Sequence, residues 1–275
     1  MRPLLQCTRE ELLLLVSAAG FPDVARGMGE EMIGAQSDET WEAVLLATRS
    51  QLILKQLWDT QKEMNGQSPL TEELQQFIQR YIEAKYALRA TNAKQDKRLI
   101  VHLSPEDEWL CHIQINEILH EFLLVPQAQV ASMFNLFYEF KLPTAKQTTS
   151  FRLNDQSFDR LSRREELSAL KESLSLTNEE WLLFDQLVMD LEKADWHFDN
   201  ISLLQLHAKE ADDGVVIEEI QFHLPSAEGV WIVRYEPWEE NVVFLQLVGE
   251  EEWAASLEQY VHEAGLFVSK QQVQA

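Results

Sequence analysis

Seven histidines and two cysteines are the side chains of this chain best suited to hold a metal or move a proton. His102, His112 and His120 fall in three successive strand-like runs, RLIVHL, EWLCHIQI and EILHEFLLV, which a sheet would bring near one another. A metal also needs a convergent ligand set, and only Cys111, Glu117 and Glu121 lie close in sequence. Cys111 and His112 are neighbours in one strand and point to opposite faces, so they do not easily share an ion. The expectation is ordinary histidines at a sheet surface or edge, and no metal. His120-Glu121 and His262-Glu263 open like a zinc protease helix, but neither has the second histidine at the required spacing. No G-x-S-x-G elbow and no Walker A loop occurs. Gly27 and Gly29, in GMGEE, follow no strand and lack the third glycine or lysine of a phosphate loop. Glu218-Glu219 and Glu239-Glu240 are acid pairs, but pairs arise by chance among 46 acids. Strand neighbours such as Glu218 and Glu219 face opposite ways and cannot act together. No catalytic residue and no cofactor is expected.

Charge narrows the partners. Lys and Arg total 23 against 46 Asp and Glu, a net charge of −23. Nucleic acids and acidic lipid surfaces are recognised by neutralising phosphates with bases, which this balance disfavours. The acidity is uneven: from Glu210 to Glu263 fourteen acids stand against Arg234 alone. Hydrophobic residues make up 45% of the 275, enough for a sizeable core. No apolar run reaches membrane-spanning length. The stretch Leu12 to Gly20 follows Arg9, Glu10 and Glu11, which suits a buried helix rather than a signal peptide. Two free thiols, Cys7 and Cys111, and no membrane segment point to the cytoplasm.

The elements that must carry any site come in two similar successions. TREELLLLVSAAG has Thr8 as N-cap and Glu11 three residues on, the pattern of a capping box. A second helix starts at Asp38 or Thr40, and SPLTEELQQFIQRYIEAKYAL runs as a third, with Leu74, Phe77, Ile78, Tyr81 and Ile82 at helical spacing. Three strands and the helix QAQVASMFNLFYEF follow. KLPTAKQTTS, residues 141–150, resembles a linker. Then come a helix around FDRLSRREELSALKESL and LTNEEWLLFDQLVMDLEKADW, which opens as the third helix does. Strands ISLLQLHA, VVIEEIQFHL, VWIVRY and NVVFLQLV form an antiparallel meander with a hairpin turn at Asp213-Gly214. NVVFLQLV is apolar on both faces and should be central in its sheet. The last helix buries Trp253, Leu257, Tyr260, Val261 and Ala264 and stops at Gly265. The expected fold is α+β, antiparallel sheets with packed helices, in one domain of two pseudo-twofold-related halves, about 1–145 and 146–275.

The helical pair LKESLSLTNEEWLLFDQLVMDL has the outline of a winged helix. A reading helix needs bases, and Thr177 to Asp195 offers only Lys193 against six acids, so packing is the better role. Aromatics among the acids stand out instead: Phe222, Trp231, Tyr235, Trp238, Phe244 and Trp253. Trp238 sits in the polar turn EPWEE, where a large ring finds little cover, and exposed aromatics in a polar rim favour protein binding. A Trp folded back over the sheet edge is the competing explanation.

The opening EELLLLVSAAGFPDVARGM, the run ATRSQLILKQLWD…PLTEELQQFIQRYI and the ending GVWIVRYEPWEENVVFLQLVGEEEWAASLEQYV resemble, in order and spacing, the EspG family. Glu11, Leu12, Leu13, Gly20, Phe21 and Pro22 match its opening helix, and Leu70, Leu74 and Ile78 a later one. The resemblance implies a pseudo-twofold α+β fold, no enzymatic activity, and a cytosolic chaperone of type VII (ESX) secretion. Such a chaperone keeps the hydrophobic tip of a helical-hairpin substrate (PPE-, WXG100- or LXG-like) soluble before export. The physical choice of partner-binding residues is Tyr235, Trp238, Glu239 and Glu240. Three alternatives compete: an acidic immunity protein that neutralises a partner toxin, an enzyme with a cryptic site, and a nucleic-acid-binding winged helix.

Overall fold

A computed structural model describes residues 3–34, 37–92, 95–143, 148–207, 214–235 and 241–274. The first stretch of chain runs β1 (Leu5–Thr8), α1 (Arg9–Ala18), α2 (Pro22–Ile33), α3 (Asp38–Leu54), α4 (Thr60–Met64) and α5 (Glu72–Ile82). It continues with β2 (Tyr86–Asn92), β3 (Lys97–His102), β4 (Glu108–Ile115), β5 (Leu119–Pro126) and α6 (Gln127–Tyr138). The second runs β6 (Thr149–Asn154), α7 (Asp155–Leu161), α8 (Leu167–Ser173), α9 (Asn178–Lys193), β7 (Asp199–Leu206), β8 (Val215–Ser226), β9 (Gly229–Tyr235), β10 (Val242–Val248) and α10 (Glu250–Gln274). The fold is α+β, and the strand pairings are antiparallel. Both stretches begin with a short strand, pass through helices, lay down four strands and close with a helix. In each, the first strand pairs with the last: β1 with β5, and β6 with β10.

Local chemistry explains the helix starts. Thr8 Oγ1 accepts from the Glu11 amide at 3.2 Å, while Glu11 Oε2 accepts from the Thr8 amide at 2.9 Å. Thr177 and Glu180 repeat that reciprocal box at α9, with 3.3 and 2.8 Å. Each bond satisfies an amide that the first turn would otherwise leave unpaired. Thr177→Ala is therefore expected to lower stability by about 1 kcal/mol, read as a shifted urea midpoint at unchanged slope.

Several elements depart from expectation. Pro22 opens α2, a helix that its two glycines hide in the sequence. Gly29 lets the Trp41 ring approach closely: a Cβ would stand 2.9 Å from Trp41 Cη2 and push the ring aside. The third helix stops at Ile82, and Tyr86–Asn92 becomes β2, whose Ala87, Leu88 and Ala90 are fully buried and whose backbone pairs with β7. The linker-like stretch ends in β6, an edge strand. Helix α10 continues through Gly265 to Gln274. Phe267 packs edge-on against Tyr86 at 5.4 Å and Val268 is buried, which outweighs the cost of about 1 kcal/mol for an interior glycine. Strand β10 lies inside its sheet, between β9 and β6, but alternates: Val243, Leu245 and Leu247 are buried, while Val242, Phe244 and Gln246 are half-buried. Asp213 lies outside the described residues; Gly214 has the positive φ of 70° that its turn requires.

The chain forms two compact units that interleave in sequence: residues 1–85, 96–104 and 108–125, and residues 86–95, 105–107 and 126–275. In the first, strands are ordered β1-β5-β4-β3, and Leu5, Leu12, Leu15, Leu52, Ile78 and Phe122 build the core. In the second, the order is β2-β7-β8-β9-β10-β6. One face of that sheet presents Phe151, Trp231, Val233 and Val243 to Phe158 of α7, Leu170 of α8 and Phe184, Leu187 and Leu191 of α9. On the other, α10 sets Trp253 against His223 at 4.7 Å, and Tyr260 donates to the Ile201 carbonyl at 3.3 Å. Helix α6 packs beside α10, joined by Trp253 Nε1 donating to Asn135 Oδ1 at 2.9 Å.

Candidate functional site

Of the residues expected to hold a partner, Tyr235 ends strand β9. It pairs with Val243 and is 44% exposed. Partial burial, with Asp159 and Asp155 of α7 nearby, raises its phenol pKa, so the hydroxyl stays a neutral donor at the rim. Trp238, Glu239 and Glu240 lie outside the described residues. The other aromatics divide. Trp231 and Trp253 are fully buried core residues, and Phe222 is partly buried against the core under α7–α9. Trp231 donates to the fully buried carboxylate of Asp190 at 3.2 Å, which also accepts from Gln186 and Lys193 at 3.0 Å each. Burial alone would raise the Asp190 pKa, but hydrogen bonds from Ser226, Gln186, Lys193 and Trp231 hold it below its ordinary value. Asp190 is thus a structural carboxylate, and α9 turns Phe184, Leu187, Val188 and Leu191 inward: it packs.

The structure brings the three strand histidines together, but in the core and not at a surface or edge. His102, His112 and His120 are all buried, beneath Tyr81 of α5, whose ring stands 5.1 Å from His102 and 5.6 Å from His112. His112 Nε2 lies 2.8 Å from His120 Nδ1, and Phe122 stacks on His112 at 4.4 Å. A neutral pair shares one proton in that bond. Whichever ring donates, a second N–H, at His112 Nδ1 or His120 Nε2, is buried without a partner, as are both nitrogens of His102. Burial lowers all three pKa values, those of His102 and His120 to about 4. Burial also pushes the thiols of Cys7 and Cys111 up to about 12, which makes them poor nucleophiles. Among the described residues, no group of three or more His, Cys, Asp or Glu is arranged to hold a metal ion.

Two concavities occur in the second unit. One, of about 510 Å³, is lined by Asp107, Gln127, Glu258 and His262, where the histidine has no hydroxyl or thiol beside it among the described residues. The other, of about 320 Å³, is lined by Asn92, Tyr138, Glu139, Asp199 and Ser226, where the serine has no histidine.

One arrangement was not singled out by the sequence. Phe244 stands between Arg152 of β6 and Arg234 of β9, directly opposite each in the ladder. The signal was present, since Arg234 is the one base between Glu210 and Glu263. Its partner Arg152 lies some eighty positions before it in sequence, and only strand pairing through β10 joins them. No described helix is long and apolar enough to cross a membrane.

No curated protein matches this chain. A family model described as "Uncharacterised protein YfjC" matches residues 6–253, from β1 into the first turn of α10. With nearly every element of both units inside that match, the chain belongs to the YfjC family.

Proposed function

We propose that the protein is a non-enzymatic chaperone or adaptor that holds the hydrophobic tip of a helical-hairpin type VII secretion substrate and keeps it soluble. The observation that carries this reading is the shared build of the two stretches of chain. Both have the same succession of elements, and in both the first strand pairs with the last. That agrees with the pseudo-twofold fold implied by the resemblance to the EspG family. An exposed Tyr235 at the end of β9, followed in sequence by Trp238, Glu239 and Glu240, would give the partner an aromatic contact in acidic company. The mechanism is shielding: apolar side chains of the hairpin tip are covered, and the acids orient the complex and keep it in solution.

Capture of partners from the native cytosol tests this reading. A protein bound through a helical hairpin supports it. A toxin bound through its catalytic domain overturns it in favour of an acidic immunity protein, a reading that the fourteen acids between Glu210 and Glu263 also suit. For the captured hairpin, Trp238→Ala is expected to weaken binding by about 2 kcal/mol, roughly thirtyfold, with folding intact. Glu239→Lys should weaken it less and make it more salt-dependent. Calorimetric titration with the purified hairpin decides the matter; equal affinities for both variants and the parent chain remove these residues from the interface.

A further inference from the structure

The row Arg152–Phe244–Arg234 crosses three neighbouring strands on the sheet face that α10 covers elsewhere. Both guanidinium carbons lie over the Phe244 ring, at 5.8 Å for Arg152 and 5.6 Å for Arg234. Both arginines are exposed and Phe244 is half-buried, so this part of the face is open. Among the described residues neither arginine forms an ion pair. Other arginines of this acidic chain do: Arg9 with Glu10, Arg49 with Glu63, Arg98 with Glu117, and Arg160 and Arg163 with Glu166. Arg234 interacts electrostatically with Glu219 of β8, and both exposed guanidiniums rest on the Phe244 ring.

We propose that the open face of β6, β10 and β9 is a docking surface for an acidic, extended segment of a partner polypeptide, whose carboxylates Arg152 and Arg234 take up on either side of Phe244. Charge complementarity selects the occupant: two exposed bidentate donors match two carboxylates. Geometry selects its shape. The two arginines spring from strands two apart, about 10 Å between backbones, and alternate residues of an extended peptide are about 7 Å apart. Long arginine side chains close that difference. The surrounding acids repel a long polyanion, but at about 8 Å screening length they act weakly on a short segment seated between the arginines. This site does not depend on the helical-hairpin reading, because its ligand is neither helical nor apolar.

Fluorescence anisotropy tests it. The probe is a fluorescein-labelled short peptide of alternating Glu and Thr, which places its carboxylates on one face. It is expected to bind saturably. Arg152→Ala and Arg234→Ala should each weaken it by about tenfold, and Arg152→Glu with Arg234→Glu should abolish it. Phe244→Leu should weaken it less, while circular dichroism shows all variants folded. Absence of binding by the parent chain, or binding that survives the double reversal, overturns the proposal. Displacement by single-stranded DNA of equal charge, at equal affinity, also overturns it, since the surface would then be a general anion site.

Discussion

Trp253→Ala is expected to lower stability by about 3–5 kcal/mol, the range for truncating a large buried aromatic. Trp253 is fully buried on the first turns of α10. Its ring meets Tyr138 at 5.8 Å, Phe140 at 5.5 Å and His223 at 4.7 Å. It thereby holds α10 on the sheet and beside α6. Two effects add in the alanine variant. The ring's apolar surface loses its burial, and Asn135 Oδ1 loses the indole donor that ties α6 to α10. Trp253→Phe separates them: it keeps most of the ring contacts and loses the bond, for about 1–2 kcal/mol. A chain of this size shifts its melting temperature by about 2–4 °C per kcal/mol, so the alanine variant should melt roughly 10 °C lower. Loss of under about 1 kcal/mol in a urea titration would mean that α10 does not depend on this anchor.

Trp253 also shows what the sequence made legible. Its spacing with Leu257, Tyr260, Val261 and Ala264 marked one helical face, and all five are buried. Thr8 with Glu11 signalled a helix start through a purely local mechanism, which the structure repeats atom by atom. β4 was readable because Trp109, Cys111, Ile113 and Ile115 alternate with Leu110, His112 and Gln114, although both faces are buried over Trp109–His112. Elements set by distant contacts were not. Tyr86–Asn92 continues the helical spacing of α5, yet its backbone finds a ladder on β7, more than one hundred residues on. Gly265 carried a helix-stop signal that Phe267 and Val268 overrule by packing. The histidines illustrate depth: alternation told which face they share, but whether that face meets water depended on Tyr81 arriving from α5. Arg152 and Arg234 form a row only through register across β10. Of the expected holding residues, Tyr235 alone lies among the described residues, at a strand end and exposed.

The same buried histidines set the second large effect, loss of stability in mild acid. Burial lowers the pKa of His102 and His120 to about 4 and of His223 to about 3. Burial lowers that of His112 well below its ordinary value, aided by His120 and His102. Unfolded histidine titrates near 6.5. Because the folded values are depressed, the unfolded chain binds more protons between about pH 6.5 and 4. The stability from keeping these rings neutral is complete above pH 6.5 and drains away as the pH falls toward the folded values. Each ring contributes about 1.4 kcal/mol per pH unit, so four approach about 5 kcal/mol per unit, against a typical total of about 5–15. Unfolding is therefore expected near pH 5. That lies above the region where carboxylates held at lowered pKa, such as Asp190, give up their contribution. Facing groups do not compensate: burial keeps the Cys7 thiol and the Tyr81 phenol neutral throughout. His102→Phe isolates one term. Both His102 nitrogens are buried without partners, and phenylalanine keeps a ring against Tyr81. The variant should gain about 1 kcal/mol at pH 7 and lose stability about a quarter less steeply in acid. Urea titrations from pH 7 to 5 read both quantities. A variant less stable at pH 7, with an unchanged acid slope, would show that the His102 ring is satisfied and does not take up the proton.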